Sequence, residues 1–180
     1  MKRSIPWAVA AVLVTVLAGI ALCKAEPETD TNFENYKPLA AAIRKADRVV
    51  LYEGLPHPGW ENEAYERELK SKKTVKFHDW PFYAKPLPLS EKDGKALTKV
   101  FTTASNFTEF AGEKKCGGFH PDYCIEWHVG KEIYRSLVCF GCGEVKVYGP
   151  RLQLRCDGGK DFGKVLKSYH NERPELKREE

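Results

Sequence analysis

Residues 116–156 have the sequence CGGFHPDYCIEWHVGKEIYRSLVCFGCGEVKVYGPRLQLRC, and the predicted fold is built around them. Apolar and polar side chains alternate from residue 122 to residue 128, which is the period of a half-buried strand. Residues 133–140 are rich in β-branched and aromatic side chains, and alternation returns in residues 144–148 and 151–156. Turn-forming residues separate these segments. The stretch therefore predicts an antiparallel meander of three to four strands.

The turns of this meander predict its register. A first hairpin centred on residues 130 and 131 pairs residues whose numbers add to 261, and a last hairpin centred on residues 149 and 150 pairs residues whose numbers add to 299. The second register makes Cys142 and Cys156 neighbours across one ladder. It also predicts that four or five sulfurs gather at one edge of the sheet, with His120 close by.

Cys139-Phe140-Gly141-Cys142 is a CxxC pair that is compatible with three kinds of chemistry. The first is a zinc knuckle, because glycines permit the tight turn that lets two thiolates reach one metal. The candidate ligands are the residues expected at that edge: Cys116, His120, Cys139, Cys142 and Cys156. The sequence therefore suggests either no cofactor or one structural zinc.

The second chemistry is disulfide formation, which an oxidising compartment favours. The candidate pairs are Cys142 with Cys156, and Cys116 with Cys139 or with Cys124. The third is a redox-active thiol pair. Redox thiols are usually activated at the N-terminus of a helix, whereas residues 144–148 are predicted to form a strand.

Helix patterns precede and follow the meander. The predicted helices cover residues 39–46, 61–73, 90–104 and 162–169, and the predicted extended segments cover residues 47–53 and 74–83. We therefore predict a single α+β domain, residues 35–170, with an antiparallel β-meander of about four to five strands packed against two to four helices. Residues 26–34 are a predicted flexible leader, and residues 171–180 a predicted disordered tail.

The N-terminus has the pattern of an export signal. Lys2 and Arg3 precede an apolar run over residues 5–22, and Ala25 offers a small residue for cleavage, so residues 1–25 are predicted to be a signal peptide. A lipoprotein signal at Cys23 and an uncleaved membrane anchor are the alternatives. In each case the protein is expected outside the cytoplasm, periplasmic or extracellular, with any membrane attachment through this segment.

The charge balance gives little support for an anionic partner. The chain has 29 basic and 25 acidic residues, and removing residues 1–25 removes three bases and no acid, which leaves 26 against 25. No basic cluster is interleaved with aromatic residues. A nucleic acid is therefore not an expected partner, and the sequence names no other.

Two histidines lie in turn-forming loops, where an imidazole can be presented to a ligand. They are His57, in LPHPG, and His120, in GFHPD; with Asp122 and a thiolate, His120 has the components of a Cys-His arrangement. Trp60, Trp80 and Trp127 are expected to pack in the core. No complete catalytic motif is visible, so the sequence favours a binding or structural module over an enzyme. The alternative is a thiol- or zinc-dependent enzyme that uses Cys116, His120, Cys139, Cys142 and Cys156.

Three phrases of the sequence resemble those of an uncharacterised family of small exported bacterial proteins. They are YEGLPHP at residues 52–58, CGGFHPD at residues 116–122 and CFGC at residues 139–142. The resemblance extends over about half of the chain. It implies export and no particular activity.

Overall fold

The computed structural model describes residues 31–112, 114, 117–159 and 166. Its strands are β1 (Arg48–Glu53), β2 (Thr74–Phe77), β3 (Trp80–Tyr83), β4 (Phe107–Glu109), β5 (Tyr123–Val129), β6 (Glu132–Val138), β7 (Glu144–Tyr148) and β8 (Gln153–Gly158). Its helices are α1 (Tyr36–Ile43), α2 (Asn62–Ser71) and α3 (Glu91–Thr102), with single 3-10 turns at Phe33–Asn35 and Ala104–Asn106. The predicted signal peptide and tail lie outside the described residues, as does most of the predicted last helix. Of that helix only Leu166 is described, helical and buried.

The main sheet has six antiparallel strands in the order β1-β5-β6-β7-β8-β4. The predicted meander is β5 to β8, four strands that pair with their sequence neighbours. Strand β1 pairs with β5 at one edge and β4 pairs with β8 at the other, and β2 and β3 form a separate hairpin. The predicted α+β fold is therefore confirmed.

The first hairpin of the meander has the predicted register, and the last does not. Tyr123 pairs with Val138, so the numbers of facing residues in β5 and β6 add to 261. In β7 and β8, Val145 pairs with Cys156, which adds to 301 and departs by two from the prediction. The reason is a longer loop: the Gly149 N–H donates to the Leu152 carbonyl at 2.8 Å, which makes a four-residue connection where two residues were expected.

The sheet is covered on both faces. On one face, which we call the helix face, α1 and α3 pack against the sheet and form a hydrophobic core. This core includes Leu39, Ile43, Leu97, Phe101, Tyr123, Ile125, Trp127, Val145, Leu154 and Cys156. On the other, the hairpin face, β2 and β3 cover a smaller cluster that holds Phe82, Cys124, Leu137 and Tyr148. Because both faces are covered, Tyr123 to Trp127 are all buried, although the alternation in sequence suggested a half-buried strand.

Local signals explain the two helices that build the helix face. The Ser90 hydroxyl accepts the Asp93 N–H at 3.1 Å and so caps α3, as the sequence predicts. Leu39, Ala40 and Ile43 recur on one side of α1, and all three are buried. Within the described residues, no helix has the length and apolar character needed to cross a bilayer.

The β2–β3 hairpin turns through two residues with left-handed backbone, His78 (φ 48°) and Asp79 (φ 66°). Two positive φ angles in succession suit the twist of a two-residue hairpin, and His and Asp tolerate them better than most residues. The His78 ring stacks on Tyr148 of β7, with centroids 3.6 Å apart and planes 10° apart. This contact holds the tip of the hairpin on the main sheet.

Candidate functional site: the Cys139–Cys142 thiol pair

The two cysteines of the CxxC motif lie in the tight turn that joins β6 to β7. The Cys139 N–H donates to the Glu144 carbonyl at 2.9 Å, which closes the turn. Gly143 has φ +70°, a conformation that glycine adopts without strain. This geometry brings the two sulfurs to 3.1 Å, with the Cys142 S–H donating to the Cys139 Sγ.

A second set of bonds ties this turn to the start of β5. The Asp122 carboxylate accepts the Phe140 N–H at 2.6 Å. The Asp122 N–H in turn donates to the Val138 carbonyl at 2.7 Å. Asp122 therefore positions the turn through both its side chain and its backbone. The two sulfurs lie on a segment that these hydrogen bonds hold against the start of β5.

The hydrogen bonds to Cys139 favour its thiolate. The Cys142 thiol is the largest influence, and the backbone N–H groups of His120 and Cys142 also donate to the sulfur. Burial and the nearby Asp122 carboxylate oppose these donors. The net result lowers the pKa of the Cys139 thiol from its ordinary value of 9.0 to about 6. At neutral pH, Cys139 is therefore largely ionised when the pair is reduced.

The two sulfurs differ in access to solvent. Cys139 is 3% exposed, whereas Cys142 is partly exposed on the turn. The thiol with the lowered pKa is thus the buried member of the pair.

His120 reaches the site because β1 and the segment before β5 cross closely. The Gly54 N–H donates to the Asp122 carbonyl at 2.7 Å, and a Cβ on residue 54 would overlap the Pro121 carbonyl oxygen. Only glycine permits this approach. It holds residues 120–122 against the end of β1, where the His120 N–H meets the Cys139 sulfur.

A chain of aromatic rings continues outward from His120. The ring centroids of His57 and His120 are 4.8 Å apart, and those of His57 and Trp60 are 6.0 Å apart. His57 Nδ1 accepts the N–H groups of Gly59 and Trp60 at 2.9 and 3.3 Å, so the neutral ring carries its proton on Nε2. The structure thus brings together the two histidines that the sequence singled out.

The tryptophans of this region do not all follow the prediction. Trp127 is fully buried, as expected, and Trp80 packs edge-on against His120 with centroids 6.2 Å apart. Trp60 is 71% exposed, so its predicted place in the core is wrong. It lies at the outer end of the ring chain, in the turn that precedes α2.

The other described cysteines are separated from the pair. Cys124 belongs to the hairpin-face cluster, and burial raises the pKa of its thiol well above the ordinary value. Cys156 lies opposite Val145 and points into the helix-face core, where burial raises the pKa of its thiol to about 12. Cys156 and Val145 are paired across the ladder, and paired residues project to the same face of a sheet, so both side chains enter that core. The expectation of one common sulfur edge is therefore wrong for these two residues.

None of the described cysteines, Cys124, Cys139, Cys142 and Cys156, forms a disulfide bond in this structure. The predicted Cys142–Cys156 bridge is therefore not formed in it. Cys116 lies outside the described residues, and its predicted bridges to Cys139 or Cys124 and its place in a zinc site stay predictions. Among the residues that the structure describes, no group of three or more His, Cys, Asp or Glu side chains could hold a metal ion.

Two features of the site were not predicted. One is the role of Asp122, which binds a backbone N–H of the turn; the other is the donation of backbone N–H groups to Cys139. The position of Asp122 one residue before a strand was a usable signal. Donation by backbone N–H groups depends on contacts between distant segments, which a single sequence does not encode locally.

Comparisons with known proteins add no relative. No family model, no curated protein and no solved structure matches the chain. The resemblance to small exported bacterial proteins therefore stays a prediction.

Proposed function

We propose that this protein is an exported thiol–disulfide redox protein in which Cys139 and Cys142 alternate between a dithiol and a disulfide. The observation that carries the proposal is the 3.1 Å separation of the two sulfurs, with one thiol donating to the other. A modest approach of the sulfurs, to the bond length of about 2 Å, converts this arrangement into a disulfide. Export rests on the N-terminal sequence pattern.

The reaction follows from the state of the two sulfurs. A partner disulfide, R–S–S–R, takes two electrons from the pair and leaves as two thiols, R–SH. The Cys139 and Cys142 sulfurs join. One partner sulfur receives the proton of the Cys142 thiol, and the other takes its proton from solvent, because Cys139 is already ionised near neutral pH. Because thiol–disulfide exchange requires a thiolate, the lowered pKa of Cys139 supports this chemistry near neutral pH.

The contrast with the other thiols supports redox chemistry over a purely structural role. Cys124 and Cys156 are buried, and the pKa of each thiol is raised, as expected for inert core cysteines. The pair in the turn has the opposite properties: two adjacent sulfurs, one lowered pKa and one partly exposed thiol. These are the properties that exchange with a soluble partner requires.

The test is reversible oxidation of the folded protein, followed by peptide mapping. Trypsin releases residues 136–146 as one peptide that contains Cys139 and Cys142 and no other cysteine. Glutathione disulfide should make this peptide lighter by two hydrogens, and dithiothreitol should reverse the change without denaturant. Metal content is measured in the same sample.

Three outcomes would contradict the proposal. The first is a bridge between the peptide of residues 136–146 and that of residues 116–131, which contains Cys116 and Cys124. The second is a Cys139–Cys142 bond that dithiothreitol reduces only after unfolding, which indicates a structural disulfide. The third is stoichiometric metal that protects both thiols until a chelator is added, which indicates a zinc site.

A binding module is the second candidate function, and the exposure of Trp60 favours it. A tryptophan that is 71% exposed and belongs to a ring chain leading to the thiol pair is suited to contact a partner. Trp60→Ala should slow reduction of a protein disulfide such as that of insulin, and leave the reaction with glutathione disulfide unchanged, if this ring docks polypeptides. If W60A and wild type react at the same rate with the protein disulfide, as well as with glutathione disulfide, the exposure of Trp60 no longer supports this candidate.

A further inference from the structure

We infer that Cys142 is the sulfur that forms the mixed disulfide with a partner and that Cys139 is the buried sulfur that resolves it. This inference rests on the proposed redox function and assigns the two sulfurs their order of reaction. It is carried by the difference in burial between them, 3% exposure for Cys139 against partial exposure for Cys142.

The surroundings of Cys139 restrict attack from outside the protein. Its sulfur is contacted by the His120 N–H, the Cys142 N–H and the Cys142 thiol, and the turn above it is tied down by the Asp122 carboxylate. Attack requires the nucleophile and the two partner sulfurs to lie nearly in line, so a sulfur that is enclosed in this way has little room for an external disulfide. Cys142 is partly exposed, so an external disulfide reaches it more readily than it reaches Cys139.

The reaction then has two steps in which atoms and electrons balance. In the first, the Cys142 proton moves to Cys139 along the S–H···S hydrogen bond, and the Cys142 thiolate attacks R–S–S–R. A Cys142–S–S–R bond forms, and RS⁻ leaves and takes up a proton from solvent. In the second, Cys139 loses its proton to solvent, and its thiolate attacks the Cys142 sulfur from 3.1 Å away. The Cys139–Cys142 bond forms, and a second RS⁻ leaves.

Two single variants test this order, with glutathione disulfide as the probe. Cys139→Ser should accumulate glutathione on Cys142, because no neighbour is left to resolve the mixed disulfide. Cys142→Ser should react at Cys139 at least about tenfold more slowly, with the rates of both variants compared at equal thiolate concentration, because the enclosed sulfur must wait for the turn to open. In each variant the tryptic peptide of residues 136–146 contains one cysteine, so the adduct is assigned without ambiguity.

The matched control is the same pair of variants in denaturant, where the two rates should agree within about twofold because the fold no longer shields either sulfur. If either serine variant loses the wild-type circular dichroism spectrum, C139A and C142A provide the same comparison. Faster reaction at Cys139 in the folded state, or equal rates there, would overturn the inference and leave the redox function standing. Failure of the wild-type pair to oxidise reversibly would instead refute the redox function itself.

Discussion

Cys139 retains a thiolate in a turn from which no helix begins. Its donors are the Cys142 thiol and two backbone N–H groups, and they outweigh burial and the Asp122 carboxylate. The backbone N–H groups supply the partial positive charge that the first turn of a helix supplies in other proteins. Because the folded pKa, about 6, lies below the ordinary 9.0, this ionisation stabilises the reduced protein. That stability is complete above about pH 9 and is lost as the pH falls through about 6.

Cys142→Ala should raise the pKa of Cys139, because the thiol that is the largest influence on it is removed. The measurement is the thiolate absorbance near 240 nm of the reduced protein as a function of pH. The transition near pH 6 should move toward the ordinary value of 9.0. Cys124→Ala is the matched control, since Cys124 lies in the hairpin-face cluster, and it should leave the transition near pH 6 in place. An unchanged transition in C142A would show that the S–H···S hydrogen bond does not tune Cys139.

At the scale of secondary-structure elements, the site depends on the close crossing of β1 and the segment that leads into β5. Gly54 lies at this crossing, and its hydrogen atom occupies the position where a Cβ would meet the Pro121 carbonyl. The crossing fixes His120, whose N–H donates to Cys139. A glycine far from the sulfurs in sequence therefore helps to set their chemistry.

Gly54→Ala should destabilise the protein by about 2 kcal/mol or more, because the new methyl group meets backbone that cannot rotate away. The reversible two-electron transition of its Cys139–Cys142 pair should also be smaller in amplitude, because His120 shifts. The matched control is Gly94→Ala in α3, where a Cβ finds its nearest neighbours, Leu89 and Val49, at 3.7 Å. G94A should stabilise the protein by about 0.5–1 kcal/mol, because alanine is the better helix former. Chemical denaturation of wild type, G54A and G94A measures the two changes in stability. A G54A variant as stable as wild type would contradict the close approach of Gly54 to the Pro121 carbonyl.

Some of these elements and their registers could be predicted from the sequence, and others could not. The strands of the meander and the first register were predictable, because alternation and turn residues are local signals. The last register was not, because Gly149 and Pro150 mark a turn without fixing its length, and two extra loop residues moved Cys156 to the position opposite Val145. The edge strands β1 and β4 join the sheet through pairings between distant segments, which a local pattern does not reveal.

For the molecule as a whole, the sheet separates three thiol environments that the sequence placed together. The helix face encloses Cys156, the hairpin face encloses Cys124, and the turn at the end of β6 presents Cys139 and Cys142. The CxxC spacing alone predicted the pair, because its two cysteines lie in one tight turn. Which thiols are inert depends on which face each side chain joins, and that is fixed by the fold.

The most direct test of the proposed redox function is the reduction potential of the Cys139–Cys142 couple between pH 5 and pH 8, obtained by equilibration with glutathione or dithiothreitol buffers. Each proton taken up in a two-electron reduction contributes about 30 mV per pH unit. We therefore expect one reversible two-electron transition, whose potential changes by about 59 mV per pH unit below the Cys139 pKa and by about 30 mV above it, with the break near pH 6. C139A should show no such transition. A folded wild-type protein with no reversible two-electron transition, or one whose slope stays at about 59 mV throughout, would contradict the account.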